Sequence, residues 1–153
     1  MEKDARIGIM GGTFDPVHKG HLVIARSAAE QLELDRVLFI PAGNPHFKQD
    51  QEVTPASQRA DMVALAIADD SLFALDLCEV ERMGITYTAD TLEELAQRYE
   101  GARLFFIMGT DSAITLPGWK RADDVARLCT IVVAKRPGQS TAVSYTHLTL
   151  PTN

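Results

Sequence analysis

The sequence predicts a doubly wound α/β fold with about five parallel strands and flanking helices. Three observations carry that expectation. Short apolar runs alternate with amphipathic helical patterns, the βαβ signature of a parallel sheet. The runs Ile7-Gly8-Ile9-Met10, Val37-Leu38-Phe39-Ile40, Leu104-Phe105-Phe106-Ile107-Met108 and Ile131-Val132-Val133-Ala134 read as strands. The first run ends in a diglycine, Gly11-Gly12, and then opens into a helix bearing two histidines. A strand-to-helix junction of that kind is where open α/β sheets bind phosphates.

The elements follow in order. Residues 6–10 are expected as strand one. Residues 19–34 read as a helix, with Leu22, Ala25, Ala29 and Leu32 near one stripe. Residues 37–40 give strand two, stopped by Pro41, and residues 42–53 read as a loop rich in Gly, Pro and Asn. Thr54 as N-cap and Pro55 at the first helical position start a second helix, with Met62, Leu65 and Ala66 as its apolar face. Residues 73–78 alternate enough to be a strand near the sheet edge. Asp90 and Glu93 form a capping-box pattern that opens a helix over residues 90–99. Residues 104–108 form the most apolar strand and are expected at the centre of the sheet. Residues 122–128 read as a short helix and residues 131–134 as the fifth strand.

Composition bounds what such a fold can do. A chain of 153 residues fits one domain with a sizeable core. Hydrophobic residues at 46% and charged residues at 24% are those of a globular chain. A net charge of -6 argues against a nucleic-acid surface, though local donors can still hold a small anion. No apolar run reaches the roughly 20 residues of a membrane helix. The start, MEKDAR, leads straight into a strand and shows no signal-peptide pattern. Cys78 and Cys129 lack metal-ligand spacing and read as reduced, buried thiols.

The end of the chain breaks the pattern. From Ser140 to Asn153 there is no Asp, Glu, Lys or Arg, and SYTHLTLPTN has neither helical nor strand periodicity. Residues 1–139 therefore read as the domain, and residues 140–153 as a non-native tail resembling adaptor read-through.

The candidate chemistry gathers in Gly11, Gly12, Thr13, Phe14, Asp15, His18 and His21. The i, i+3 spacing of His18 and His21 sets both imidazoles on one helical face. The stretch is neither the GxGxxG dinucleotide fingerprint nor a P-loop. Zinc pairs on helices usually sit at i, i+4 with a third ligand, so no metal site is assigned.

GGTFDPVHKGH at residues 11–21 resembles the signature of the nucleotidyltransferase superfamily with the T/HxGH motif. PAGNPHFKQ at residues 41–49, ERMGITYTADTLEEL at 81–95, FFIMGTDSAITLPGW at 105–119 and VVAKRPG at 132–138 narrow this to one family. Together they resemble the bacterial nicotinate-mononucleotide adenylyltransferases, in that family's order and spacing, over residues 6–138.

The resemblance implies a Rossmann-like sheet and a cytoplasmic enzyme of NAD biosynthesis. Its partners would be ATP, carrying Mg²⁺ on its phosphates, and nicotinate mononucleotide; the products would be deamido-NAD and pyrophosphate. It implies that His18, His21 and Lys48 act on the triphosphate. Gly11, Gly12, Thr13, Phe14, Gly109 and Asp111 would bind ATP. Thr88, Trp119, Lys120 and Arg136 would bind the acceptor. From the residues alone, Lys48 reads as a surface lysine, and only the resemblance gives it a role; Thr88 is equally a helix-entry residue, Trp119 a core-capping aromatic and Asp111 an N-cap. The sequence departs from the family where Phe47 stands for a common histidine and His46 for a proline. It also lacks the family's later ISSTxIR-like motif. Two rival readings stay open: nucleotide binding without turnover, and adenylyl transfer to nicotinamide mononucleotide or phosphopantetheine.

Overall fold

The computed structural model describes residues 4–43, 53–82, 84 and 86–134. Five strands form one parallel sheet: β1 (Arg6–Gly12), β2 (Arg36–Pro41), β3 (Phe73–Leu75), β4 (Arg103–Gly109) and β5 (Thr130–Ala134). Their spatial order is β3-β2-β1-β4-β5, every pairing parallel. The expected doubly wound sheet is therefore present, with β3 at an edge as anticipated. The centre, however, is β1; β4 lies beside it.

The strands are apolar throughout because both faces are covered. Alternate side chains divide between two cores. Ile7, Ile9, Leu38, Ile40, Leu104, Met108 and Ile131 join one, with Leu92 and Leu95 of α4 (Thr88–Arg98) and Val125 of α6 (Ala122–Leu128). Met10, Val37, Phe39, Phe105, Ile107 and Val132 join the other, with Ala25 and Ala28 of α1 (Lys19–Leu32) and Val63 and Ile67 of α2 (Ala56–Ile67). Each fully buried leucine or isoleucine stabilises the fold by about 1.5–3 kcal/mol. Two short helices, α3 (Cys78–Glu81) and α5 (Thr110–Thr115), were not legible in the sequence. Among the described residues no helix is long and apolar enough to cross a membrane.

Pro41 does end β2, as expected, level with Gly12, and the next residue continues the pairing through Ala42 N–H to Gly12 O at 2.8 Å. Several other expected boundaries are corrected. The first helix ends at Leu32, with Glu33 in the left-handed region. Thr54 does not cap α2; Pro55 holds the N-cap position. The buried face of α2 is Arg59, Ala60, Val63 and Ile67, whereas Leu65 is 80% exposed. The third strand ends at Leu75, and Cys78 opens α3 instead. Helix α4 begins two residues early, behind Tyr87, and Asp90 and Glu93 accept from Arg121 instead of forming a capping box. Cys78 and Cys129 are both buried and free, their thiols pushed up to about 12 chiefly by burial. The loop at 44–52 and the tail at 140–153 lie outside the described residues.

One glycine is fixed by contact. A Cβ on Gly43, just past β2, would sit 2.4 Å from the backbone oxygen of Glu79 in α3. Backbone cannot swing aside as a side chain can. Gly43→Ala is expected to destabilise the chain by about 1–3 kcal/mol. The check is a urea melt whose midpoint falls at unchanged slope.

Candidate active site

The strand order reverses between β1 and β4, one leading outward to β2 and the other to β5. Ligands of open α/β sheets bind at the carboxyl ends of the strands at such a switch point. Continuing the Met10–Ile107 register sets Gly12 level with Gly109 at that edge. A Cβ on Gly109 would meet open space, and one on Gly11 or Gly12 would make only ordinary contacts of 3.7 Å or more. The protein's own packing does not require glycine there, so the cleared volume is available to a ligand.

Helix α1 starts above this edge. His18 is its N-cap in extended backbone, φ -140°, ψ 174°. Its N–H donates to His21 Nδ1 at 3.1 Å, and its carbonyl accepts from His21 N–H at 3.0 Å. The two rings lie 3.9 Å apart between centroids. Phe14, 3% exposed and with φ 52°, sets its ring edge-on to His21 at 5.0 Å. The expected pair on one face is thus assembled, and the structure adds a tautomer. With Nδ1 accepting, neutral His21 carries its proton on Nε2 and offers it outward.

Burial, and secondarily the nearby His18, lower the His21 pKa from 6.5 to about 4. The imidazole is therefore a neutral donor near pH 7. The unfolded chain, with the higher pKa, binds more protons between pH 6.5 and 4. Stability that is complete above pH 6.5 is consequently lost as pH falls through that window. The half-exposed ring limits the loss to about 1–2 kcal/mol. Thermal melts at pH 7 and 4.5 check this: the drop is expected to shrink in His21→Asn, whose side chain can still accept from His18 N–H.

Arg59 went unnoticed in the sequence. It is 1% exposed and reaches across from α2. Its Nε donates to Thr54 O at 2.7 Å, one terminal nitrogen to Thr13 O at 2.8 Å and Ala42 O at 2.7 Å, the other to Gly43 O at 2.9 Å. Asp15 completes the junction by accepting from Thr54 N–H at 3.0 Å. The signal was the stripe 59, 63, 67, in which an arginine keeps phase with two buried aliphatics.

A second wall lies beyond β4. Gly109 holds the N-cap position of α5, so Asp111 sits in the first turn, exposed, and is not the cap. Trp119 is half-buried, its ring edge-on to Phe106 at 6.4 Å and its indole N–H donating to Thr115 Oγ1 at 3.1 Å. Thr88 is the first residue of α4. The Lys120 ammonium lies 5.7 Å from the Tyr87 ring centre, which brings the Trp119 loop against the start of α4. Arg121, in left-handed backbone at φ 56°, fixes that approach. It donates to Asp90 at 3.0 Å and Glu93 at 2.9 Å on α4, and to Asp124 at 2.8 Å on α6. Arg82 braces α4 from the other side, donating to Thr91 Oγ1 at 3.0 Å and Glu94 at 2.7 Å. Lys48 and Arg136 lie outside the described residues.

This geometry matches a known set of proteins. The family model described as cytidylyltransferase-like matches residues 9–153. The chain belongs to the cytidylyltransferase-like family. Within that family it is 44% identical over 139 residues to a Thermoanaerobacter sp. (strain X514) protein named "Probable nicotinate-nucleotide adenylyltransferase", covering 90% of this chain and 66% of that one. A protein of the same name from Neisseria meningitidis serogroup C (strain 053442) is 45% identical over 135 residues, covering 88% of this chain and 68% of that one. The chain spans about two thirds of the length of these curated relatives. Among solved structures, Plasmodium falciparum nicotinic acid mononucleotide adenylyltransferase complexed with NaAD superposes with TM-score 0.73 at 17% identity, over 97% of this chain and 77% of that one. The two chains thereby share a fold.

Proposed function

We propose that this chain binds ATP and nicotinate mononucleotide and transfers the adenylyl group between them, releasing pyrophosphate and deamido-NAD. The observation that carries this reading is the His18–His21 pair at the carboxyl edge of the switch point, its rings 3.9 Å apart and His21 Nδ1 held by the His18 N–H. The names of the relatives at 44–46% identity support the choice of substrates.

In this reaction a phosphate oxygen of the mononucleotide attacks the α-phosphorus of ATP. The bond from that phosphorus to the β-phosphate bridging oxygen breaks, and its electron pair leaves with pyrophosphate. No protein nucleophile and no proton abstraction are needed, so the protein's work is positioning and charge stabilisation. His18 and His21 would donate to phosphate oxygens as charge moves toward the leaving group. Gly11, Gly12, Thr13 and Phe14 would bring backbone close to the phosphates, with Lys48 adding a cation. Gly109 and Asp111 would receive the ATP nucleoside, Asp111 as a ribose acceptor. Trp119 would stack on the pyridine ring. The amides of Thr88 and Lys120 would meet its carboxylate, and Arg136 its phosphate. Among the described residues no three carboxylate, imidazole or thiol groups converge on a metal position. A Mg²⁺ carried on the triphosphate would offset negative charge there. On this reading the chain works in the cytoplasm.

The alternative reading is nucleotide binding without turnover. One experiment separates them. The 153-residue chain is given Mg-ATP with nicotinate or nicotinamide mononucleotide, and dinucleotide is detected by mass. Product preferentially from the nicotinate form supports adenylyl transfer. ATP binding without product from either acceptor supports the binding-only reading.

A further inference from the structure

Among the described residues the hydrogen bonds of the buried Arg59 go to backbone carbonyls, and these belong to three separate segments. Thr13 follows β1, Ala42 and Gly43 follow β2, and Thr54 precedes α2. Burying a cation is costly, a cost that the nearby Asp15 charge offsets in part, and an apolar side chain would fill the same space without it. What an apolar side chain cannot do is orient peptides. A peptide unit is planar and trans, so a carbonyl held on one side sends the following N–H to the other. With Thr13 O turned to the guanidinium, Phe14 N–H points away from it. Ala42 O does the same for Gly43 N–H. Phe14 is meanwhile held at φ 52°, a conformation unusual for a non-glycine residue, with its ring packed against His21. The planar fork of an arginine spans such divergent carbonyls; the single ammonium of lysine does not.

We propose that Arg59 is the positioning residue of the donor-nucleotide site: it turns the carbonyls at the ends of β1 and β2 inward, so that their amides face a polyphosphate. This rests on the reading that the chain binds ATP. It makes no claim on the acceptor, whose proposed wall at Thr88 and Trp119 is braced separately by Arg121.

The test is calorimetric titration of the 153-residue chain and of Arg59→Lys with Mg-ATP and, separately, with nicotinate mononucleotide. A cooperative melt confirms that the variant is folded. The expected result is an ATP affinity lowered on the order of 10- to 100-fold, with acceptor affinity within about twofold of the parent. Unchanged ATP affinity in a folded variant, or equal losses for both ligands, overturns the role of Arg59 while leaving the ATP reading intact. Absence of ATP binding by the parent chain overturns both. If Arg59→Lys does not fold, the parent chain still decides the matter by amide hydrogen exchange. ATP is expected to slow exchange at Phe14 and Gly43 selectively, and unaltered exchange there overturns the proposal.

Discussion

His21→Asn is expected to lower the rate of dinucleotide formation by about 10²–10³-fold with helix α1 still in place. The magnitude is that of removing one preorganised donor from a site of developing negative charge. The substitution is chosen because Asn can keep the acceptor that His18 N–H uses at 3.1 Å while removing Nε2–H. A loss of rate without loss of the helix start therefore reports the donor itself. The loss should appear in kcat more than in the KM for ATP, since the interaction strengthens as pyrophosphate departs. His18→Ala should cost a similar factor. Because the rings lie 3.9 Å apart and on the proposed function would act on one group, the double variant should lose less than the product of the two. Full additivity would mean that the histidines serve separate steps. A variant with normal kcat would remove His21 from the chemistry.

The sheet was legible because its strands are buried on both faces, so their apolar runs are nearly unbroken and cannot be mistaken for solvent-facing helix. The histidine pair was legible because spacing alone fixes its common face. What the sequence hid was set by tertiary partners. Asp90 and Glu93 have the spacing of a local cap, yet Arg121, distant in sequence and adjacent in space, takes both. Thr54 looks like an N-cap, yet its N–H goes to Asp15 and its carbonyl to Arg59. Arg59 itself was passed over because an isolated charge is normally solvated, and that rotated the expected face of α2 onto Leu65. In each case a polar side chain bonds across the fold where a local pattern predicts a bond along the chain.

Trp119→Ala is expected to raise the KM for nicotinate mononucleotide by about 10- to 100-fold and to leave the KM for ATP nearly unchanged. A flat heteroaromatic stacked on an aromatic side chain is worth about 1–3 kcal/mol. The structure presents the indole for that work: Thr115 takes its N–H, Phe106 meets it edge-on, and the residue remains half-exposed. A ring already held by its neighbours and still partly exposed loses little freedom on binding. Those contacts also mean that Trp119 covers part of the core, so some stability should be lost as well. Comparison with Trp119→Phe separates the roles. Phenylalanine keeps an aromatic face but cannot donate to Thr115, so it should restore most of the acceptor affinity even if the melt stays lowered. If the two variants instead lose stability in step while the acceptor KM does not move, Trp119 is a core cap alone. The pyridine ring would then have to be held by the start of α4, where Tyr87 already lies 5.7 Å from the Lys120 ammonium.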